Sequence, residues 1–437
     1  MARSKARVYT CCALLLLLVV ISIIVIIAVT VRRTCPDGTF SKAAVAADSR
    51  KCSEIGRDML QQGGSAVDGA IAALLCTSVM NPQSAGIGGG SIFTVMDSSG
   101  NVRIINSRET APSKVDPDLL KSCTKTFKLI SGGDVTLQDL ASYNVSVTDP
   151  WVVPMGEYQM YIPPPPSGGA LLTLVLNIMK GYQMNSAPQS VEQKTQFYHR
   201  YVEAFKFANG LKKHIRDPHF KSQKMTKNIV ESSFANHIRT LISSNRTHNS
   251  QYYNLTPYMD SLGTTHVSVL GEDGSAVAVT STINHIFGSK VYSSSTGIVL
   301  NNELSDFCGR VDNIFPGEQP PSSMAPAVLK SQSKMLVIGA SGGSMITTGL
   351  VSTLVNHLWF GKNLKEAIKT PVLFVDSENA VKFEPKFDNG VIKALEALGH
   401  NQKPADRFYN VVNAVEKKEG RIWAASDHRK LGEAAGY

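Results

Sequence analysis

The residues Gly263-Thr264-Thr265-His266 place a hydroxyl side chain after a glycine, at the start of a β-branched run. That arrangement suits self-cleavage. The Thr264 hydroxyl would attack the Gly263 carbonyl, the acyl group would shift from nitrogen to oxygen, and water would release the ester. The new chain would begin at Thr264. Its α-amine, titrating near about 8, could then act as general base for its own hydroxyl. Glycine and threonine alone are a weak signal, because a loop entering a strand reads the same way. A second nucleophile pattern is Gly339-Ala340-Ser341-Gly342-Gly343, which fits G-x-S-x-G between an expected strand and an expected helix. Asp376 and His400 or His428 follow in the chain order of a serine hydrolase. Against it, no regular strand–helix alternation and no HGGG-type oxyanion motif precede Ser341. A third pattern, Gly86-Ile87-Gly88-Gly89-Gly90, lacks the Lys-Ser/Thr of a phosphate loop and leads into a strand. Tight backbone packing is its expected role.

The elements that would position these residues follow from periodicity. Thr264–Leu270 and Ser275–Ile283 are β-branched runs joined by Gly271-Glu272-Asp273-Gly274, a strong hairpin signal. Pairing Leu270 with Ser275 brings Thr264 near Ser281 and Thr282, with Asn284 just beyond. Ala44–Ala47 reads as a short strand. Ser53 is expected to cap a helix reaching about Gln62, and Gly63-Gly64 to end it. Ser65 and Asp68 form a capping-box pattern opening a second helix through Ala70–Leu75. Cys52 and Cys76 sit near opposite ends of that helical pair and could meet if the helices pack antiparallel. Ser91–Met96 and Val102–Asn106 predict a hairpin. Helices are expected over about 170–180 and about 193–213. Met335–Ala340 reads as a buried strand turned by Gly342-Gly343 into an apolar helix ending near Trp359.

Further motifs accompany Thr264: Thr282-Ile283-Asn284, Glu303-Leu304-Ser305-Asp306, Ser322-Ser323-Met324 and Gly342-Gly343, with Ala43–Asp48, Asn106–Pro112 and Ser426–Tyr437. In this order the chain resembles the gamma-glutamyltransferase family of N-terminal-nucleophile hydrolases, over nearly its whole length. Pro163–Pro166 and the ending Glu433–Tyr437 resemble the leukotriene C4-processing branch of that family. The resemblance implies an α+β, four-layer αββα sandwich. It also implies a cut between Gly263 and Thr264 into a large chain (43–263) and a small chain (264–437) that stay together as a heterodimer.

By the same resemblance, Thr264 is the nucleophile and Thr282 orients it. Arg108, Ser322 and Ser323 clamp the donor's α-carboxylate, and Asn284, Glu303 and Asp306 hold its α-amine. Gly342 and Gly343 offer N–H groups to the oxyanion, and Cys52 bonds Cys76. Glutathione and S-conjugates such as leukotriene C4 would be donors, and amino acids or dipeptides acceptors, with no metal or organic cofactor. The family carries a long block where this chain runs directly from Lys121 to Val135, and the stretch between Asp306 and Ser322 is also short. An unprocessed, inactive relative is therefore the main competing reading; a serine hydrolase using Ser341 is the remote one.

The chain has 437 residues and a formal charge of +9, which invites a nucleic-acid reading. Arg3, Lys5, Arg7, Arg32 and Arg33 carry five of those charges with no acid among residues 1–33, leaving an unremarkable remainder. A basic zone from Lys206 to Lys227 is expected to be a solvated helix face. Residues 11–31 form an apolar run long enough to span a membrane, read as an uncleaved signal-anchor after a short tail (1–10) and before a stalk (32–42). The flanking charges orient the N-terminus toward the cytosol, which places a type II catalytic body outside the plasma membrane. Sequons at Asn144, Asn245 and Asn254 agree with an external body. Of seven cysteines, Cys11 and Cys12 lie at the membrane; Cys35, Cys52, Cys76, Cys123 and Cys308 form no CxxC metal pattern and allow one or two disulfides.

Overall fold

Side chains along Thr265–Leu270 and Ala276–Thr282 alternate between two cores, the period of a strand buried on both faces. Val267, Val269, Val277 and Val279 point to one core, while Leu270, Ala276 and Ala278 point to the other. The computed structural model describes residues 17–23, 38–115, 135–184, 186–256, 258, 260–308, 310, 312–404, 408 and 410–437. It divides into two units, Met1–Thr39 and Phe40–Tyr437. In the first, residues 17–23 form helix α1 with exposed side chains. The rest of the expected span 11–31 lies outside the described residues, as do the tail 1–10 and Cys123. Among the described residues, no helix is long and apolar enough to cross a membrane.

The architecture is two stacked seven-stranded sheets. One has the order β1 (Thr39–Phe40), β17 (Arg421–Ala425), β16 (Val411–Lys418), β13 (Met335–Ser341), β12 (Ala327–Lys330), β7 (Tyr158–Ile162), β6 (Trp151–Met155). The other has the order β18 (Ala435–Gly436), β2 (Ala44–Ala46), β8 (Thr265–Leu270), β9 (Ala276–Thr282), β3 (Gly90–Met96), β4 (Val102–Asn106), β5 (Ser146–Thr148). Two small ribbons, β10 (Tyr292–Ser293) with β11 (Ile298–Val299) and β14 (Leu373–Val375) with β15 (Val381–Phe383), lie apart. Ala44, Ala46, Ala276, Ala278, Val328 and Val337 fill the space between the sheets. Helices α2 (Arg50–Gln61) and α3 (Ala66–Met80) cover the second sheet. On the first sheet lie α5 (Gly169–Lys180), α6 (Val191–Leu211) and α9 (Ile346–Leu354). This is the expected αββα sandwich.

Local expectations hold with three corrections. The hairpin pairs Leu270 with Ala276, one residue beyond the expected partner, and so sets Thr264 opposite Thr282. The shift arises because Gly271 and Ser275 close the turn themselves, Gly271 N–H donating to the Ser275 carbonyl at 2.8 Å. Helix α2 starts at Arg50 after Ser49; Ser53 lies inside it, and its buried hydroxyl accepts the Ala47 N–H at 3.0 Å. The zone Lys206–Lys227 is not one solvated face, since Lys206 is buried and Lys212, Lys213 and Arg216 line a cavity. The Ser65–Asp68 capping box forms, and Cys52 bonds Cys76 with Cα atoms 5.2 Å apart. Cys308 is also disulfide-bonded. Gly89 packs where a Cβ would meet the Thr282 carbonyl oxygen at 2.0 Å, which explains the glycine run without a phosphate.

Candidate active site

The expected site residues converge at one end of the second sheet. Thr264 precedes β8, Thr282 ends β9, and Arg108 follows β4. Antiparallel pairing places the start of β8, the end of β9 and the start of β3 side by side. From the other sheet, β13 ends at Ser341 and delivers Gly342 and Gly343. A short turn, Glu303–Phe307, supplies Glu303 and Asp306. A small cavity is lined by Arg108, Thr264, Thr282, Asn284, Glu303 and Asp306, with Ser322, Ser323 and Gly343 on its remaining sides.

The Thr264 hydroxyl donates to the Thr282 hydroxyl oxygen at 3.1 Å. The Asn284 N–H donates to the same oxygen at 2.8 Å, so Thr282 is itself fixed. Gly342 N–H donates to the Gly263 carbonyl oxygen at 2.9 Å. Gly342 and Gly343 have φ of +116° and +58°, values that favour glycine. At Gly343 a Cβ would lie 2.1 Å from the Ser261 carbonyl oxygen.

Opposite Thr264, Arg108 is fully buried and pairs through Nη1 with Glu303 at 2.8 Å and through Nη2 with Asp306 at 2.6 Å. Its Nε donates to the Pro320 carbonyl at 2.8 Å. Burial opposes the charge, but Glu303 and Asp306 outweigh it and hold the guanidinium above its ordinary value. Burial drives the Glu303 carboxyl well up, against the pull of Arg108. The ion pair is close but not aligned: Arg108 Nη1 and both Glu303 oxygens are buried without a hydrogen-bond partner. Asn284 Nδ2 donates to Asp306 at 3.2 Å and to the Ser305 hydroxyl at 2.8 Å. The Ser322 hydroxyl accepts the Met324 N–H at 3.1 Å, and its own N–H donates to Pro166 at 2.8 Å.

Two sets of residues were not singled out from the sequence. Lys430 Nζ donates to the Thr264 carbonyl at 2.6 Å, to Asp48 at 2.9 Å and to the Ser341 hydroxyl at 3.0 Å. Asp48 in turn accepts from Thr265 and Asn413, each at 2.7 Å. Their only sequence signal lies in the motif stretches Ala43–Asp48 and Ser426–Tyr437. Glu109, next to Arg108, is buried with neither carboxylate oxygen hydrogen-bonded, and burial pushes it up to about 7 against Arg108.

The Ser341 alternative is not supported. Ser341 is fully buried and engaged with Lys430. Both ring nitrogens of His400 are occupied by Lys206 and His199. That same cluster holds the metal-capable group of the described residues: His199, Glu203 and His400, with ligand atoms within 4.8 Å of one another. Its hydrogen bonds form a directed chain. Lys206 donates to His400 Nδ1 at 3.0 Å, His400 to His199 at 2.7 Å, and His199 to the Ser243 carbonyl at 2.8 Å. Lys206 supplies the cation there, 3.6 Å from Glu203. The cluster is a satisfied structural network.

A family model described as Gamma-glutamyltranspeptidase matches residues 52–131 and 127–437. Glutathione hydrolase 5 proenzyme of Rattus norvegicus is 36% identical, over 92% of this chain and 94% of that protein. The Homo sapiens protein of that name is 35% identical over the same shares. Cephalosporin acylase from Bacillus halodurans shares the fold, with a TM-score of 0.77, 18% identity, and coverage of 91% of this chain and 96% of that one. The rat alignment runs over 538 positions, whereas 92% of 437 residues is about 402, so about 136 positions have no residue of this chain. The family match breaks at 127–131, inside the stretch where the sequence runs short.

Proposed function

Because the chain belongs to the gamma-glutamyltranspeptidase family, we propose that it hydrolyses glutathione and its S-conjugates and transfers the gamma-glutamyl group, using Thr264 as nucleophile. The observation that carries this reading is the set of buried atoms without a hydrogen-bond partner that line one cavity with Thr264: Arg108 Nη1 and the Glu303 oxygens, which face each other only as an ion pair. A free amino-acid head group matches both, its carboxylate on the guanidinium and its ammonium on Glu303, Asp306 and Asn284. Ser322 and Ser323 complete the carboxylate side. The side-chain carbonyl of a gamma-glutamyl donor then lies toward the Thr264 hydroxyl.

Maturation comes first. In the uncut chain Gly342 N–H serves the scissile Gly263 carbonyl, and the Thr264 hydroxyl is next to the bond it attacks. Once Thr264 is N-terminal, its amine takes the hydroxyl proton as the oxygen attacks the gamma-carbonyl. The Gly342 N–H, released from Gly263, and the Gly343 N–H stabilise the oxyanion. The amine returns the proton to the departing amide nitrogen, so cysteinylglycine leaves, or leukotriene D4 if the donor is leukotriene C4. Water or an amino-acid or dipeptide amine then attacks the threonyl ester and restores the hydroxyl. The two chains remain together because β8 and β9 pair with β2 and β3 of the large chain. The same reading puts the protein at the plasma membrane through the apolar run 11–31, with the body outside, and the exposed Asn144, Asn245 and Asn254 are compatible with glycosylation. N-terminal sequencing of the small chain, with a gamma-glutamyl donor assay, tests the reading: a start at Thr264 with turnover is expected.

A second reading is favoured by the roughly 136 absent positions: a folded but uncut relative without activity. A single intact polypeptide in denaturing electrophoresis, with no turnover, would select it.

A further inference from the structure

A basic cavity adjoins the catalytic one. It opens to solvent and shares Ser261, Asp306 and Ser323 with the catalytic cavity, so the two are continuous. Four cations line it, and three are engaged. Arg216 pairs with Asp312 and Glu318, each at 3.0 Å. Arg310 pairs with Glu318 at 2.9 Å and Asp312 at 3.2 Å. Lys213 donates to the Asn254 carbonyl at 2.9 Å. Lys212 differs: its Nζ sits 3.7 Å from the centroid of the Tyr258 ring, and among the described residues no carboxylate lies within ion-pair distance of it.

Resting on the function proposed above, we infer that Lys212 is a specificity residue that binds the terminal carboxylate of the donor's leaving group, the dipeptide end of glutathione-type substrates. An ammonium held over an aromatic face, with Asp260 and Asp306 acting on it only at longer range, has no ion pair at bonding distance, and a carboxylate arriving from the catalytic cavity supplies one. Burial lowers the Lys212 pKa, opposed by Asp260 and Asp306, so the charge is held at a cost that an anionic ligand relieves. The head-group site selects the gamma-glutamyl end; Lys212 selects the other end and favours donors with a free carboxylate there.

The test measures binding separately from turnover. Calorimetry of the purified protein with S-methyl-cysteinylglycine and with its C-terminal amide reads Lys212 directly. About tenfold weaker binding of the amide is expected, the size of one charge-assisted hydrogen bond. Lys212→Met should remove that difference, and Lys212→Arg should keep it. The Met side chain keeps contact with the Tyr258 ring and Asp260 keeps its hydrogen bond from the Ser377 N–H, and an unchanged Tm serves as the folding control. Turnover of gamma-glutamyl-p-nitroanilide, whose leaving group is neutral, should change less than about twofold in Lys212→Met, whereas KM for glutathione rises about tenfold. Equal binding of dipeptide and amide, no dipeptide binding, or an equal loss on both donors would overturn the inference. Absence of all turnover with carboxylate-dependent binding intact would instead overturn the proposed function and leave this one standing.

Discussion

The Gly342 N–H donates to the carbonyl oxygen of Gly263 at 2.9 Å, and the residue on the far side of that peptide bond, Thr264, has φ of +81°. Positive φ is rare for a β-branched residue and costs about 1–3 kcal/mol. Strain and an N–H donor to the carbonyl therefore meet at the same bond, and the proposed cleavage would relieve the strain. Gly263 must be glycine here, because a Cβ would lie 1.9 Å from the Asn284 carbonyl oxygen. Gly263→Ala is expected to displace the carbonyl and leave the chain uncut. Denaturing electrophoresis checks this; cleavage equal to that of the unaltered protein would contradict the geometry.

Thr282 holds the Thr264 hydroxyl through a single oxygen that also accepts the Asn284 N–H. Thr282→Val keeps the shape but removes the acceptor. A lost buried hydrogen bond of about 1–3 kcal/mol predicts a kcat lowered roughly 10- to 100-fold. Thr282→Ser should retain most of the rate. Steady-state kinetics on a gamma-glutamyl donor separates the two, and equal losses would argue against an orienting role.

How much of this was legible in the sequence depends on chain separation. The β8–β9 hairpin follows from alternation and a Gly-rich turn, and counting from the turn placed Thr264 by Thr282 within one residue. The Ser65–Asp68 cap was legible because its partners are three residues apart. Arg108 with Glu303 and Asp306 was not: those groups come from loops, and only resemblance to a family joined them. Lys430 escaped altogether, since it reaches Asp48 from 382 residues away. Ser53 misled because a hydroxyl inside a helix and one that caps it look alike. Lys206–Lys227 misled because charge says nothing about burial when the partners, such as Glu203 and Thr247, are scattered.

Arg108 presents two nitrogens at once, Nη1 to Glu303 and Nη2 to Asp306. A lysine delivers one point charge and cannot span both carboxylates while also holding a substrate carboxylate. Arg108→Lys is expected to raise donor KM by about 10- to 100-fold, with kcat changed less. Thermal unfolding should also fall, because Glu303 keeps a buried carboxyl with a weaker partner. An unchanged KM would remove Arg108 from the head-group site.

Lys430 ties the C-terminal segment to the Thr264 carbonyl and to the fully buried Asp48. Lys430→Met would strand that carboxylate with only neutral donors, a loss of about 3–5 kcal/mol for a broken buried pair. Both a lowered Tm and reduced appearance of the Thr264 fragment are expected. A variant of normal Tm and normal processing would show that Asp48 is satisfied by Thr265 and Asn413 alone.

His266, between the sheets, ties acid stability to the same hairpin. Ser268 donates its hydroxyl proton to the Asn413 carbonyl at 3.0 Å, so it accepts from His266 Nε2 at 2.9 Å. Thr280 must then donate to Nδ1, at 2.8 Å, and the ring is neutral. Burial holds its pKa down to about 3, against an ordinary 6.5. Below 6.5 the unfolded chain takes a proton that the folded chain refuses until about 3. The His266 contribution is therefore complete above 6.5 and is lost as pH falls through that window, at most about 1.4 kcal/mol per pH unit. His266→Gln keeps hydrogen-bonding capacity but cannot titrate. Denaturant unfolding across this window should show a flatter decline for the variant, and His400, held down to about 2 mainly by burial, should supply part of the slope that remains. A variant losing stability on acidification as steeply as the unaltered protein would mean that His266 accepts a proton inside the fold, and that the inter-sheet layer beneath Gly339 is wetter than the packing of Ala276, Ala278 and Val337 implies.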